Sequence, residues 1–281
     1  MGFPLSEAGM NPDWLLPEEI YPRLKSQWLG KAIHHFESIG STNDEAYDLA
    51  LNGAAEGTLV IAEEQLKGRG RLGRSWASER SSGIYASLVL RPPLQPKEAP
   101  VLNLAAAVAV SQAIQQTTIL VPDIKWPNDI LVNGRKCCGI LTEMNADHEK
   151  VLFVILGIGI NVSQTRFPPE LLDRASSLEL EAKREISRID LVVAVLEHLE
   201  SIYLGMLHEG RSWIVEQWNQ HSSFAWGKKV SVECGNRRIS GITNGLGEDG
   251  TLRVRMASGQ IETVMSGDLV AWESTANVTR H

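Results

Sequence analysis

The sequence predicts an α+β protein: a mixed sheet with surrounding helices, followed by a small all-β module. Three observations lead there. Before Trp226, strand-like and helix-like segments follow one another in mixed rather than strictly alternating order. After "FAWGKKV" the texture changes to short apolar runs split by Gly, Asn and Asp turns. At 281 residues the chain can hold one large unit and one small one, each with a buried core.

Each element has its own signal. Residues 1–30 are Pro-rich and mixed, and read as a short helical lead-in. "KAIHHFESIG" is a strand, with His34 and His35 read as strand and surface rather than ligands. "STNDEAYDLALNG" is a helix ended by Gly53, with Ser41 or Thr42 as N-cap and Asp44 or Glu45 completing a capping box. "GTLVIAEEQ" and "GIYASLVL" are strands, and the arginine-glycine stretch between them is a loop. "EAPVLNLAAAVAVSQAIQQ" is a long apolar helix, read as buried. "DIKWPNDILVNGRKCCGILTEM" is two strands around Asn133-Gly134, the dipeptide of a type I′ turn. "KVLFVILGIGINV" is a buried strand, and residues 170–222 are amphipathic helices. The expected division is 1–30 lead-in, 31–224 main domain and 225–281 β module.

Composition narrows the function. A net charge of -7 argues against general nucleic-acid binding, but leaves room for a local anion site. Cys137, Cys138 and Cys234 fit neither a zinc knuckle nor a disulfide framework, so free thiols are expected. The first residues lack a signal-peptide pattern, and no apolar run is long enough to span a bilayer. A cytoplasmic protein is the expectation.

Four stretches carry chemistry. From Gln65 to Ser78 stand Lys67, Arg69, Arg71 and Arg74, with no acidic residue, among Gly68, Gly70 and Gly73. Such a loop can be a solvated basic surface, an arginine-rich nucleic-acid contact, or a mobile lid over a phosphorylated small molecule. As a lid, it would offer Trp76 as a flat face for a base. In "KWPNDILVNGRK", Lys125 and Lys136 flank a hairpin and Asn128-Asp129 is a polar pair in an apolar run. That is either a Pro-Asn-Asp turn or a phosphate-facing lysine beside a carboxylate that helps hold Mg²⁺. "STN" at 41–43 is a helix cap, and its small polar groups can also meet a polar ring. In "GIGINV", Gly157 and Gly159 alternate along a strand toward Asn161, which suggests a close backbone approach. No Ser-His-Asp or Cys-His constellation is visible.

In this order and spacing, "STN", "EEQLKGRGRLGRSW", "KWPNDILVNGRKCCGIL" and "GIGINV" resemble the biotin–protein ligases, over about residues 35 to 275. The resemblance implies a class II aminoacyl-tRNA synthetase-like catalytic domain followed by a small SH3-like β-barrel. It implies that biotin and ATP, with Mg²⁺, give biotinyl-AMP and pyrophosphate. The biotinyl group then passes to one lysine of a biotin carboxyl carrier domain, of acetyl-CoA carboxylase or a related carboxylase. The implied biotin-binding residues are Ser41, Thr42, Asn43, Gln65, Arg69, Gly70, Arg71, Lys136 and Gly139. The implied ATP-binding residues are Arg69, Arg71, Arg74, Trp76, Lys125, Asn128 and Asn161. Lys136, Arg69 and Lys125 are the implied catalytic cations, and Asp129 the implied Mg²⁺ contact.

Fixed cations suit this chemistry, because a carboxylate must attack a polyanion. Two departures stand out. About 35 residues precede the first motif, too few for the winged helix-turn-helix that many relatives carry, so DNA is not an expected partner. Cys137 and Cys138 stand where aliphatic residues or Ala are common, and a thiol there could be oxidised. A homodimer is compatible with the resemblance. A lipoate–protein ligase, a nucleic-acid-binding module and a catalytically silent biotin sensor are the competing readings.

Overall fold

The computed structural model describes residues 13–272. It opens with a short helix, α1 (Pro17–Ile20), whose proline sits where a backbone N–H has no helical partner. Leu15, Ile20, Leu24 and Leu29 of this lead-in are buried, so it is part of the core.

Seven strands form the main sheet: β1 (Ile33–Phe36), β2 (Leu59–Ala62), β3 (Gly83–Leu90), β4 (Asp123–Lys125), β5 (Asp129–Val132), β6 (Arg135–Ala146) and β7 (Val151–Asn161). Their order across the sheet is β1-β2-β3-β7-β6-β5-β4. β1 and β2 are parallel, joined through the crossover helix α2 (Thr42–Leu51), and the other neighbours are antiparallel. The sheet is therefore mixed, as the sequence predicts.

The two faces of the sheet differ. On one, α3 (Val101–Thr117), α5 (Arg188–Glu209) and α6 (Arg211–Gln220) pack together over the strands. A short α4 (Leu178–Ala182) precedes α5, capped by the Ser177 hydroxyl. The other face carries α2 over a smaller cluster of Ala46, Ala50, Val60, Val89, Phe153 and Ile155. Alternation along β7 does the sorting. Val154, Leu156, Ile158 and Ile160 join the main core, while Phe153 and Ile155 lie under α2. Continuing that second series gives Gly157, Gly159 and Asn161, so the glycines leave the sheet surface open just beyond α2.

Two expectations are corrected. Residues 123–144 form three strands, because a turn over 126–128 separates β4 from β5 where Pro127 has no N–H to give to the sheet. The Asn133-Gly134 turn is as expected, with positive φ at both residues. Helix begins at Leu178 rather than near 170: after a short turn at Pro169–Leu171 the chain is tied to β6, with Arg174 O accepting from Lys136 N and Ser176 N donating to Lys136 O.

From Trp226 a five-stranded antiparallel sheet follows: β8 (Trp226–Cys234), β9 (Arg237–Leu246), β10 (Leu252–Arg255), β11 (Ile261–Val264) and β12 (Asp268–Trp272). Its inward residues Val230, Val232, Leu252 and Val254 belong to the same core as the main sheet. The Trp126 indole N–H also donates to Gly250 O at 3.1 Å.

Candidate active site

One cavity of about 770 Å³ lies on the α2 face of the sheet, where Gly157 and Gly159 leave space. It is lined by parts of all four chemistry-bearing stretches and by the start of β12.

The inner end is uncharged and tightly hydrogen-bonded. Ser41 is the N-cap of α2, but its side chain makes no capping bond, so the predicted capping box is absent. Gln65 does that work: its Oε1 accepts from the Thr42 backbone N–H at 2.9 Å and from the Thr42 hydroxyl at 3.0 Å. Its amide nitrogen donates to Ser78 at 2.9 Å. Ser87 donates to Asn43 Oδ1 at 2.6 Å and lies 2.8 Å from Thr42 Oγ1. Asn43 donates to Glu143 Oε2 at 2.7 Å. A Cβ on Gly157 would overlap Asn43 Oδ1, so only glycine leaves this amide in place. The helix start is thus stabilised from outside itself, and Ser41 faces the cavity without a capping duty.

The centre is a charge cluster. The turn at Trp126–Pro127 sets Lys125 opposite Asp129 in register. Asp129 then bridges two ammonium groups, Lys136 Nζ at 2.6 Å and Lys125 Nζ at 3.3 Å. Burial disfavours the charged carboxylate, but Lys136 and Lys125 outweigh it and hold the Asp129 pKa below its ordinary range. Burial pushes the Lys125 ammonium below its ordinary pKa, with Asp129 pulling the other way. Lys136 is fixed by its backbone, which bonds Arg174 O at 2.7 Å and Ser176 N at 2.9 Å.

Gly139 and Gly159 are register neighbours and form a flat floor. Trp76 lies on it: a Cβ at Gly159 would meet the indole at 2.6 Å, and one at Gly139 at 2.8 Å. Lys136 Nζ sits 5.3 Å from the Trp76 ring centroid, within cation–π range. The Trp76 Nε1–H is buried without a hydrogen-bond partner among the described residues.

The arginine loop is a small hairpin folded over this floor, closed by bonds from Gly70 N to Arg74 O at 2.7 Å and from Trp76 N to Gly68 O at 2.9 Å. Its three arginines divide between two sides: Arg69 turns to carboxylates on α2 and β6, while Arg71 and Arg74 share Asp268. Arg69 reaches Asp44 and Glu143, both at 2.6 Å. Arg71 contacts Asn128 at 3.3 Å, Gly267 O at 3.3 Å and Asp268 at 3.4 Å. Arg74 pairs with Asp268. Asn128 also donates to Ile140 O at 2.7 Å, and Asn161 to Ser176 O at 3.0 Å, which fixes both amides at the cavity wall.

The structure therefore brings every predicted site residue to one cavity, Gly70 and Gly139 included. Asp129, expected to help hold Mg²⁺, has each oxygen engaged by a lysine. Among the described residues no three His, Cys, Asp or Glu side chains cluster as a metal site. This donor set does not fit a protein-held Mg²⁺. Cys137 and Cys138 are fully buried, and burial pushes the Cys137 thiol to about 12 and raises Cys138 as well, so the expected oxidation-prone thiol is not borne out. Sequence reasoning missed Glu143, Asp268, Arg166 and Arg174. The Pro168-Pro169 pair, six residues after "GIGINV" and between Arg166 and Arg174, is the signal that these two arginines lie in a cavity-lining loop.

A profile of the Biotin/lipoate A/B protein ligase family matches residues 35–161, which include all the predicted site residues. The "Bifunctional ligase/repressor BirA" of Bacillus subtilis is 38% identical over 260 residues, covering 92% of this chain and 79% of that protein. This chain belongs to the biotin–protein ligases. The "Biotin--[acetyl-CoA-carboxylase] ligase" of Mycobacterium tuberculosis is 33% identical over 246 residues, covering 82% of this chain and 85% of that protein. The biotin protein ligase of Aquifex aeolicus, solved with biotin and ATP, superposes with a TM-score of 0.73 at 28% identity, covering 86% of this chain and 99% of that one. The α+β fold of this biotin–protein ligase chain, with its mixed sheet and antiparallel C-terminal sheet, is that of the Aquifex structure.

Proposed function

We infer that this chain joins biotin to the AMP part of ATP, releases pyrophosphate, and passes the biotinyl group to one lysine of a biotin carboxyl carrier domain. One observation carries the reading. The cavity has an uncharged inner end and, beyond it, Lys125, Lys136, Arg71 and Arg74 around a single reaction space. The described residues that line it include no His or Cys, and the proposed chemistry needs no protein nucleophile because the substrate supplies its own.

In this reading the ureido ring of biotin sits among Ser41, Thr42, Asn43 and Gln65, and its carboxylate lies near Lys136. Arg71, Arg74 and Lys125 take the phosphates, Trp76 the adenine, and Asn128 and Asn161 the rest of the nucleotide. A biotin carboxylate oxygen attacks the α-phosphorus, the bond to the β-phosphate oxygen breaks, and pyrophosphate leaves. The amine of the acceptor lysine then attacks the carbonyl, the acyl–oxygen bond breaks, and AMP leaves. Charge builds on phosphoryl oxygens in the first step, where fixed cations in a partly dry site act most strongly. Mg²⁺ supplies further charge neutralisation when carried on the triphosphate; the steps above rest on protein groups alone. The carrier of acetyl-CoA carboxylase or a related carboxylase is the proposed acceptor, by analogy with the Mycobacterium relative's name. Residues 31–224 form the proposed catalytic part and 225–281 a part that contributes Asp268.

The test is mass spectrometry of a carrier domain incubated with the chain, MgATP and either biotin or lipoate. One biotinyl adduct on one lysine supports the reading. A lipoyl adduct moves the chain to the sister activity. Pyrophosphate release without any adduct leaves adenylation alone, and no release overturns the reading.

A further inference from the structure

Glu143 stands on β6 beside the cavity, outside its lining, and the predicted site does not include it. One of its oxygens, Oε2, accepts from Asn43 Nδ2 at 2.7 Å and from Arg69 Nη2 at 2.6 Å. Those two donors belong to different parts of the site. Asn43 is buried in the first turn of α2, and its other amide atom is held by Ser87. Arg69 opens the loop hairpin, and the same Nη2 reaches Asp44 on α2. A single carboxylate therefore joins the pocket floor to the loop that covers it.

We propose that Glu143 is a positioning residue: it turns the Asn43 amide toward the inner pocket and anchors Arg69 so that the loop stays shut over the acyl-adenylate. The inference rests on the ligase reading above. The chemistry of the contacts supports it. A carboxylate only accepts, so it forces Asn43 to present Nδ2 to β6 and Oδ1 to Ser87. A guanidinium shared by Glu143 and Asp44 has no charge left unmatched, so Arg69 serves as a fastening of the loop to the body of the domain. Arg71 and Arg74, two and five residues further on, are instead directed at the opposite wall and Asp268. The first arginine of the loop is thus a hinge anchor, and the later two face the nucleotide side. Because Arg69 and Glu143 are partly exposed, the anchor can release and reform during turnover.

The experiment is a double-mutant cycle on the full chain with Glu143→Gln and Arg69→Gln, reading the dissociation rate of preformed biotinyl-AMP and the melting temperature. The Glu143→Gln change keeps an acceptor for Asn43 and removes the charge facing Arg69. Each single change is expected to speed dissociation roughly five- to tenfold, with the double variant no faster than either single one. The melting temperature should move by no more than about 2 °C. Glu143→Ala should in addition raise the KM for biotin, since it also frees Asn43. Additive effects of the two Gln changes, an unchanged dissociation rate, or a rate change that only tracks a lower melting temperature would each overturn the proposal. If the unmutated chain forms no biotinyl-AMP, it is the ligase reading that has failed.

Discussion

The arginine loop and the cluster around Glu63 are both made of paired charges and begin within two residues of each other, yet burial gives them opposite uses. Glu63 is 0% exposed and Arg188 1%. Glu63 accepts from Arg188 at 2.9 Å, from the Leu15 backbone N–H at 2.7 Å and from Ser81 at 3.2 Å, and contacts His35 at 3.2 Å. Arg188 further donates to Asp13 at 2.7 Å and to Gly83 O at 3.1 Å. Every polar position on this pair is used, and it ties the lead-in, β1, the start of β3 and α5 together. In the loop, the Arg74 side chain is 61% exposed and that of Arg69 41%. Water can replace the partners of these two arginines, so a carboxylate can yield to a phosphate at modest cost; Arg71, 20% exposed, is the more buried member of the loop. In the buried cluster, losing one partner strands the other in a dry place.

The sharpest way to break this contrast is Arg188→Ala. It leaves Glu63 buried without its cation and should cost about 3–5 kcal/mol of stability in urea unfolding. Changing both residues to apolar ones of similar volume should restore much of that loss. A neutral Arg188→Ala would mean that the cluster is no more structural than the loop.

Lys136→Ala tests the other side. It should lower the rate of biotinyl-AMP formation by about 10²–10³-fold, the usual cost of removing a group aimed at developing charge. The melting temperature should stay within a few degrees, about 2–4 °C, since Lys136 is about a third exposed and Lys125 remains on Asp129 when Lys136 is gone. Single-turnover formation of the adenylate, followed beside thermal unfolding, separates the two. A variant that is folded and fully active would remove Lys136 from the site.

How much of this is legible in the sequence divides along the same line. The loop is legible because its glycines, arginines and tryptophan are contiguous, and "KWPND" because proline and a polar pair interrupt an apolar run. The carboxylates that complete the site are not. Glu143 lies 74 residues from Arg69, and Asp268 197 residues from Arg71. Glu63 is hidden in the same way: "GTLVIAEEQ" reads as a strand without a partner for its glutamates, and the cation of Glu63 stands 125 residues away. His35 reads as surface in the sequence, and packs against Glu63 instead. The sequence predicts Ser41 or Thr42 as N-cap and the structure has Ser41 there, but the capping bond comes from Gln65, 23 residues from Thr42. Local pattern specifies backbone and one half of each pair, and tertiary pairing supplies the other.

Acid should sharpen the contrast further. Burial opposes ionisation of Glu63, but His35, Arg188 and the Leu15 N–H outweigh it and hold the pKa at about 2, against an ordinary 4.5. A depressed carboxylate contributes stability that is fully present above the unfolded value and is lost as pH falls through the folded one. The contribution of Glu63 is therefore expected to be constant down to about pH 5, to decline below 4.5, and to be gone near pH 2. Urea midpoints measured from pH 7 to pH 3 check this, with the Glu63/Arg188 double replacement as the reference that lacks the term. An identical pH profile for both proteins would show that Glu63 is not the group responsible.

The smallest effect is expected inside the loop, and two neighbouring glycines separate geometry from motion. A Cβ at Gly68 would overlap Trp76 O, a backbone atom that cannot swing away, so Gly68→Ser must displace the loop segment carrying Trp76 from its glycine floor. At Gly70 the nearest atom to an added Cβ is Arg74 O at 3.5 Å, and φ is -119°, ordinary for any residue. Gly70→Ser is therefore compatible with the closed hairpin and acts only by stiffening the chain that must open and shut. Gly70→Ser should leave the melting temperature within about 2 °C, whereas Gly68 is buried and Gly68→Ser should lower it by more than that. Gly68→Ser should speed loss of bound adenylate by roughly tenfold or more, through the displaced Trp76. Gly70→Ser should change that rate by no more than about threefold, in keeping with a backbone-entropy effect below about 1 kcal/mol. Rapid-quench measurement of adenylate retention distinguishes the two. Equal, large effects at both positions would mean that loop motion, rather than the seating of Trp76, controls how long the intermediate is held.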